Sequence, residues 1–350
     1  MINKKELIKE WNKIKPKETP LVFTNITGKK IVIKDESVNL SSTYKDKHGW
    51  AMGLDYLKNH FPNPFIYYLG STGNAGFSDF LYAEKLNKLL GEKKVLVVNF
   101  YPGHYDDKIL GPDSFSRFTD GKRFREEMER FKSGKLIQVD FRKKYWFDDF
   151  KRGYTPCLDK MNEFEMGKEI GINKISRENS KDITEGFKPT YFQVMEEIIS
   201  QIKGKLGRIP KTLAIIQFGA GMLYDDSKEV VKKNDVPIDI IAVSTGNKDT
   251  IADKICDSSE TWQESLKDLL KKGVTRAKNS GDKIFQVNES EILDSLKILR
   301  KLNIEAEPSG GVGLAMAISS KLNNLIKNFQ NYELIVVINT GNGLKKSSLN

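Results

Sequence analysis

Short apolar runs alternate along the chain with longer amphipathic stretches. Most of these runs are continuous, which is typical of strands that are covered on both faces of a parallel sheet. They predict strands at residues 31–33, 65–69, 95–100, 136–139, 213–218, 238–243 and 334–339.

Amphipathic patterns between these strands predict helices over residues 77–90, 194–202 and 292–299. Asn288 precedes the last of them and Glu291 follows three residues later, a spacing that indicates a capped helix start. The strand–helix alternation predicts an α/β fold with doubly wound, three-layer α/β/α domains and mostly parallel sheets. A chain of 350 residues is long for one core and suits two such domains.

The composition of the chain limits the classes of binding partner that we expect. The net charge of +10 comes mainly from lysines interleaved with acids, and without a nucleic-acid motif we expect no nucleic-acid binding. No run approaches the ~18 apolar residues of a membrane span, and the charged N-terminal segment predicts no secretory signal. Two cysteines outside any CxxC pattern, Cys157 and Cys256, fit the reducing cytoplasm. His104, Asp106 and Asp107 are too few and too closely spaced for us to expect a metal site.

Two segments in the first quarter of the chain carry candidate chemistry. Residues 39–49 are rich in hydroxyls and contain Lys45 just before a helical pattern, where a lysine with a lowered pKa could form a Schiff base. Ser71, Thr72, Gly73 and Asn74 follow a predicted strand, where backbone amides at a helix start could bind a carboxylate. Taken singly, Lys45 reads as a surface lysine and the second segment as an ordinary turn.

Two glycine-containing segments follow later strands. Gly219, Ala220, Gly221 and Met222 could bind a phosphate on backbone amides. The GxG pattern is also part of a dinucleotide-binding fingerprint, but its third glycine is missing, so a nicotinamide dehydrogenase is the weaker interpretation. Thr340 begins the segment TGNGLK after the final strand, and ligands of α/β sheets bind beyond the carboxyl ends of strands.

In this order, the segments resemble those of the fold-type II pyridoxal-phosphate enzymes, which include threonine synthase, cysteine synthase, ammonia-lyases and the tryptophan synthase β subunit. Residues 39–47 are similar to the family's NPTGSFKDR, residues 71–76 to SSGNAG, and residues 340–345 to the TGNGLK of threonine synthases. Residues 307–310 match EPSG, and residues 186–190 are similar to EGxKT. The sequence departs from the family at Ser42, where glycine is usual, and at Lys47, where arginine is usual.

The resemblance implies roles for these residues. Lys45 would bind pyridoxal 5'-phosphate covalently and act as the catalytic base, and Asn74 would contact the ring hydroxyl. The amides of residues 219–222 would hold the phosphate, and the Thr340 hydroxyl would face the pyridine nitrogen. Residues 71–74 would bind the carboxylate of an amino-acid substrate, with or without a phosphate group.

The resemblance also implies the organisation of the chain. Residues 1–38 and 175–350 would form a large cofactor-binding domain, and residues 39–174 a smaller mobile domain, with the cofactor in the cleft between them. Residues 101–155 do not match the family, and we interpret residues 101–154 as a lid or partner surface; the aromatic run 145–147 is more typical of a core or interface. A homodimer is expected from the family.

The implied activity is elimination or replacement at the β or γ carbon, as in threonine synthase, which converts O-phosphohomoserine to threonine and phosphate. A cysteine-synthase-like replacement and a serine or threonine ammonia-lyase stay open. A non-catalytic binding protein on the same scaffold also stays open. His48, three residues after Lys45, is a candidate for the edge of the site, although a structural role is the simpler interpretation.

Overall fold

The structure is a computed structural model, and the residues that it describes are 3–71, 74–102, 128–139, 156–183, 187, 190–219, 221–245, 250–252, 284–326 and 329–342. The described strands are β1 (Leu21–Ile26), β2 (Lys29–Asp35), β3 (Phe65–Gly70), β4 (Val95–Pro102), β5 (Gly134–Val139), β6 (Ser180–Asp182), β7 (Thr212–Gln217), β8 (Ile238–Thr245), β9 (Ile284–Val287) and β10 (Leu334–Asn339).

The described α-helices are α1 (Lys4–Lys13), α2 (Asp46–Asp55), α3 (Asn74–Leu90), α4 (Pro156–Glu163), α5 (Phe192–Leu206), α6 (Met222–Asn234), α7 (Glu289–Lys301), α8 (Pro308–Ile318) and α9 (Leu322–Leu325). A π-helical turn, Tyr56–His60, continues α2, and short 3-10 turns lie at Glu36–Val38, Lys168–Ile170 and Phe329–Asn331. Asn288 caps α7 through the predicted capping box with Glu291. Among the described residues, no helix combines the length and the apolar character needed to cross a membrane.

The described residues divide into two compact units. The first combines the chain up to Lys17 with the chain from Lys45 to Thr190, and the second combines Glu18–Tyr44 with the chain from Tyr191 onward. The first unit contains a four-stranded parallel sheet in the order β5-β4-β3-β6.

The second unit contains, within its described part, a six-stranded sheet in the order β1-β2-β10-β7-β8-β9. All of its neighbouring strands are parallel except the antiparallel pair β1 and β2. β10 lies between β2 and β7, with Val336 opposite both Val32 and Ala214.

Alternation along β2, β7 and β10 sends successive side chains to opposite faces of this sheet. One face packs Ile33, Ile215 and Val337 against α7 and α8. The other packs Val32, Ala214, Ile216, Val336 and Ile338 against α5 and α6. Helices therefore cover both faces, and the predicted α/β class with mostly parallel sheets is confirmed.

Each predicted strand is present, with ends that differ by up to a few residues. The sequence patterns missed β1, β6 and β9. β1 lies at the sheet edge and is only half-buried along its length, and β6 has only three residues, Ser-Lys-Asp, with no apolar run to detect. Such strands form because neighbouring strands offer unpaired backbone groups.

The unit boundaries differ from the predicted domain boundaries in three places. Residues up to Lys17 belong to the first unit because Trp11 is buried there: its indole N–H donates to Trp50 O at 3.0 Å, and its ring packs edge-on against Tyr82. Residues 175–190 belong there because β6 pairs with β3. Residues 39–44 belong to the second unit, where Tyr44 is hydrogen-bonded to Thr340. The mobility of the smaller domain stays a prediction.

Candidate functional site

Lys45 is half-buried and occupies the residue before α2, with φ −66° and ψ −13°. Its carbonyl oxygen accepts the N–H groups of His48 at 2.8 Å and Gly49 at 3.1 Å, as at the start of a helix. The same oxygen accepts the Ser78 hydroxyl from α3 at 3.0 Å. The main chain at Lys45 is therefore tied to the first turn of α2 and to the second turn of α3.

α2 and α3 cross closely at Gly49. A Cβ atom at this position would lie 2.7 Å from the Tyr82 ring and 2.9 Å from the Ser78 carbonyl oxygen, so only glycine allows the approach. Asn74 is the first residue of α3, one turn before Ser78. Within the first unit, Lys45 and Asn74 thus lie at the starts of two helices that pack directly on each other.

The loop before α3 leaves the carboxyl end of β3. Ser71 N–H donates to Phe100 O at 3.1 Å, and Ser71 O accepts Asn99 Nδ2 at 3.3 Å. A Cβ at Gly76 would lie 2.8 Å from the Asn99 side chain, so the start of α3 packs tightly on β4. The predicted ligand residues Thr72 and Gly73 lie outside the described residues.

His48 of α2 and Asp79 of α3 form a buried pair. His48 Nδ1 lies 2.7 Å from Asp79 Oδ1, and His48 Nε2 lies 3.1 Å from the carbonyl oxygen of Ile183. Burial raises the pKa of Asp79 above its ordinary value, against the opposing effects of His48 and of the Lys45 charge. Sequence analysis missed Asp79, because only the crossing of α2 and α3 brings it to His48.

In the second unit, the segment before Lys45 pairs with the segment after β10. Tyr44 N–H donates to Thr340 O, Asn342 N–H donates to Ser42 O, each at 3.0 Å, and Thr43 and Gly341 form an antiparallel bridge. Ser42, where the resembled family has glycine, keeps a left-handed conformation with φ 62°. Tyr44, the neighbour of the predicted cofactor lysine, is thereby joined to the predicted ring partner Thr340.

Close packing surrounds Thr340, which is itself buried. A Cβ at Gly341 would lie 2.5 Å from Ser42 O, and one at Gly310 would lie 2.3 Å from Asn339 Oδ1. Glu307 N–H donates to Gly341 O at 2.9 Å. The segments 307–310 and 340–342 therefore pack directly on each other.

Gln217 and Asn339 support this region, although their residue types gave no signal in the sequence. Gln217 Nε2 donates to Gly310 O at 3.1 Å and also to Ile338 O. Asn339 Nδ2 donates to Asp35 Oδ1 at 2.9 Å and to Glu305 O at 2.8 Å. These buried amides hold the ends of β7 and β10 in place.

The turn from β7 to α6 leads directly into a helix N-terminus. Gly219 lies in the turn, and Gly221 takes the left-handed conformation with φ 85° as the residue before α6. Met222 begins the helix, whose first amides point out of its N-terminus without a side chain on Gly221 to cap them. Ala220 lies outside the described residues.

The predicted site residues that are described belong to different units: Lys45, Ser71 and Asn74 to the first, and Gly219, Gly221, Met222 and Thr340 to the second. Outside the described residues lie His104, Asp106, Asp107, Cys256, residues 145–147, 343–345, most of 101–155, and 186, 188 and 189. Within the described part of the chain, no group of three or more His, Cys, Asp or Glu side chains could hold a metal ion.

No protein-family model matches the sequence, and the comparison with curated proteins gave no match. Solved structures do match. A pyridoxal 5'-phosphate-dependent aspartate racemase is 13% identical with a TM-score of 0.62, over 98% of this chain and 95% of its own. A serine racemase from Dictyostelium discoideum is 14% identical with a TM-score of 0.61, over 98% and 97%. A hydrogen sulfide-producing enzyme from Fusobacterium nucleatum is 15% identical with a TM-score of 0.61, over 98% and 99%. The chain is similar to these proteins in fold.

Proposed function

We propose that the chain binds pyridoxal 5'-phosphate covalently at Lys45 and catalyses elimination or replacement at the β or γ carbon of an amino acid. The specific reaction that we propose resembles that of threonine synthase, with O-phosphohomoserine as substrate and threonine and phosphate as products. Two independent observations support the general proposal. The motifs occur in the order of the fold-type II enzymes, and the fold is similar to that of a pyridoxal 5'-phosphate-dependent aspartate racemase.

The observation that carries the proposal is the hydrogen bond from Tyr44 N–H to Thr340 O. It joins the residue next to the proposed cofactor lysine to the residue proposed to face the pyridine nitrogen. The two segments are nearly 300 residues apart in sequence. If Lys45 were an ordinary surface lysine, the segment next to it would not need to pair with the segment that contains Thr340.

The chemistry of the donor set fits the cofactor. An amine at Lys45 suits an aldehyde, and the amides of Gly219, Gly221 and Met222 suit a phosphate at the start of a helix. The Thr340 hydroxyl suits a ring nitrogen that is not held as a cation. Close packing around Thr340 requires two glycines. A side chain at Gly310 would collide with Asn339, and a side chain at Gly341 would collide with the main chain at Ser42.

Pyridoxal phosphate, when bound, supplies the electron sink for carbanion chemistry. The proposed contribution of the chain is positioning and proton transfer. Lys45 Nζ takes the α-proton of the substrate, and the hydroxyls and amides of residues 71–74 bind the substrate carboxylate. Thr340, being neutral, does not add a proton to the ring nitrogen.

The first experiment tests the cofactor and its attachment. The purified chain is expected to absorb visible light when supplied with pyridoxal phosphate, and borohydride reduction followed by peptide mass spectrometry is expected to label Lys45. Lys45→Ala is expected to lose the label, whereas Lys58→Ala, which changes an exposed lysine of the same unit, is expected to keep it. A colourless protein without label at Lys45 would support a non-catalytic binding protein instead.

The second experiment tests the substrate. O-phosphohomoserine, O-phosphoserine, O-acetylserine, serine and threonine are assayed in parallel, with release of phosphate, acetate and ammonia and consumption of added sulfide as readouts. Turnover of O-phosphohomoserine is expected to exceed the others. Preference for O-acetylserine with sulfide would favour a cysteine-synthase-like replacement, and ammonia from serine or threonine would favour an ammonia-lyase.

A further inference from the structure

His48 and Asp79 are both buried, and both nitrogens of the His48 ring have an identified neighbour. Nδ1 of the imidazole faces Asp79 Oδ1 at 2.7 Å, and Nε2 faces the Ile183 carbonyl oxygen at 3.1 Å. The Phe187 ring packs against the imidazole with a centroid distance of 5.7 Å. Asp79 Oδ2 is buried and has no hydrogen-bond partner among the described residues. His48 and Asp79 therefore contact each other directly.

Counting protons gives the charge of the pair. A carbonyl oxygen only accepts, so Nε2 carries a hydrogen. The short contact between Nδ1 and Oδ1 requires one more hydrogen, because two lone pairs at that distance would repel each other. That hydrogen belongs to an imidazolium beside a carboxylate or to a carboxylic acid beside a neutral imidazole. In both cases the pair holds one shared proton and has zero net charge.

The pair is joined to Lys45 through the main chain. Lys45 O accepts the N–H of His48 at 2.8 Å and the hydroxyl of Ser78, the neighbour of Asp79, at 3.0 Å. The Lys45 charge also opposes the rise in the pKa of Asp79 that burial causes. A bare carboxylate in this position would favour the ammonium form of Lys45, which cannot attack an aldehyde or accept a proton.

We propose that His48 and Asp79 are positioning residues for Lys45: the neutral pair fixes the start of α2 on α3 and screens the lysine amine from the Asp79 charge. The inference rests on the proposed function, in which the Lys45 amine must react. Neither residue contacts the reacting atoms in this account.

Other ionisable groups on the surrounding elements contribute to the electrostatic field around this pair. They are Asp46 and Lys47 on α2, Tyr82 on α3, and Lys181 on β6, whose Nζ lies over the Phe187 ring. Asp46 Oδ1 accepts the Ser78 hydroxyl at 3.2 Å, and burial together with the Asp46 charge raises the pKa of Tyr82. These groups are unchanged in the variants below, so differences between variants report on the pair.

The test measures the reactivity of Lys45 in the cofactor-free, full-length chain. Acetic anhydride labelling is quantified at each lysine by mass spectrometry from about pH 7 to about pH 11. His48→Gln leaves Asp79 without a partner that can share an ionisable proton and is expected to shift the Lys45 labelling curve upward by about 1 pH unit. Asp79→Asn and the double variant are expected to label like the wild type. Exposed Lys58 serves as the reference within each sample.

A wild-type labelling curve in folded His48→Gln would overturn the inference. A double variant that keeps the upward shift would also overturn it, because the shift would then not come from the Asp79 charge. Cofactor binding is measured separately. If the wild type does not bind pyridoxal phosphate but the labelling of Lys45 still differs between the wild type and His48→Gln, the proposed function is rejected. The inferred effect of the pair on Lys45 is then still supported.

A second measurement needs no substitution and stays decisive if His48→Gln fails to fold. The chain contains 3 histidines, so the nitrogen-15 spectrum of its imidazoles is simple to assign. The ring of His48 is expected to show a proton at Nε2 and a strongly downfield proton shared between Nδ1 and Asp79. An Nδ1 without a hydrogen-bonded proton at neutral pH would overturn the inference.

Discussion

The main-chain N–H of Tyr44 donates to the carbonyl oxygen of Thr340 at 3.0 Å. The bond involves only backbone atoms, so it survives any substitution of the Thr340 side chain that keeps the backbone conformation. Structural and chemical contributions of Thr340 can therefore be separated, which makes the position suitable for testing the proposed site.

Thr340→Val removes the hydroxyl and keeps the shape of the side chain. We expect the free energy of unfolding to change little and turnover with the preferred amino acid to fall about tenfold, the effect of one lost hydrogen bond. Thr212→Val is the matched control, because Thr212 is equally buried and its hydroxyl donates to Pro210 O at 2.8 Å. Equal loss of turnover in both variants would show that Thr340 has no special role.

Two glycines test packing within helices. A Cβ at Gly53 in α2 would lie 2.1 Å from the Trp11 ring, whereas one at Gly204 in α5 would meet nothing within 4 Å. We expect Gly53→Ala to lower the free energy of unfolding by about 1–3 kcal/mol. Gly204→Ala is expected to raise it by about 0.5–1 kcal/mol, because alanine favours the helix. Urea unfolding measures both, and destabilisation by Gly204→Ala would contradict the packing around α5.

The capping box at the start of α7 predicts a pH dependence. Burial favours the protonated form of Glu291, but the Asn288 N–H, the Ser319 hydroxyl and Lys321 outweigh it, so the pKa of Glu291 lies below its ordinary value. The ionised side chain therefore stabilises the fold above the pKa of the unfolded state, and this contribution is lost as the pH falls through the folded pKa.

Urea unfolding of the wild type and of Glu291→Gln tests this dependence. The wild type is expected to be more stable at about pH 7, and the difference is expected to shrink toward about pH 4. Asp294→Asn is the control on the same helix, since Asp294 forms an exposed ion pair with Lys297 that should contribute little. A difference for Glu291→Gln that does not vary with pH would contradict the prediction.

The sequence predicted the central strands well because a strand covered on both faces needs a continuous apolar run, as in β7 and β10. It could not predict β6, whose three residues form a strand only because β3 offers an unpaired edge. The glycine-containing loops were recognised from their residue types. Asp79, Gln217 and Asn339 were not, since each of these residues has its role through partners that are distant in sequence.

The position of β10 has a consequence for biosynthesis. This strand, near residue 340, is inserted between β2 and β7 and supplies backbone partners to both. The large parallel sheet therefore cannot close during translation until almost all of the described chain has left the ribosome. Until then the edges of β2 and β7 that pair with β10 expose unpaired backbone groups, so the nascent second unit needs protection from pairing with other chains.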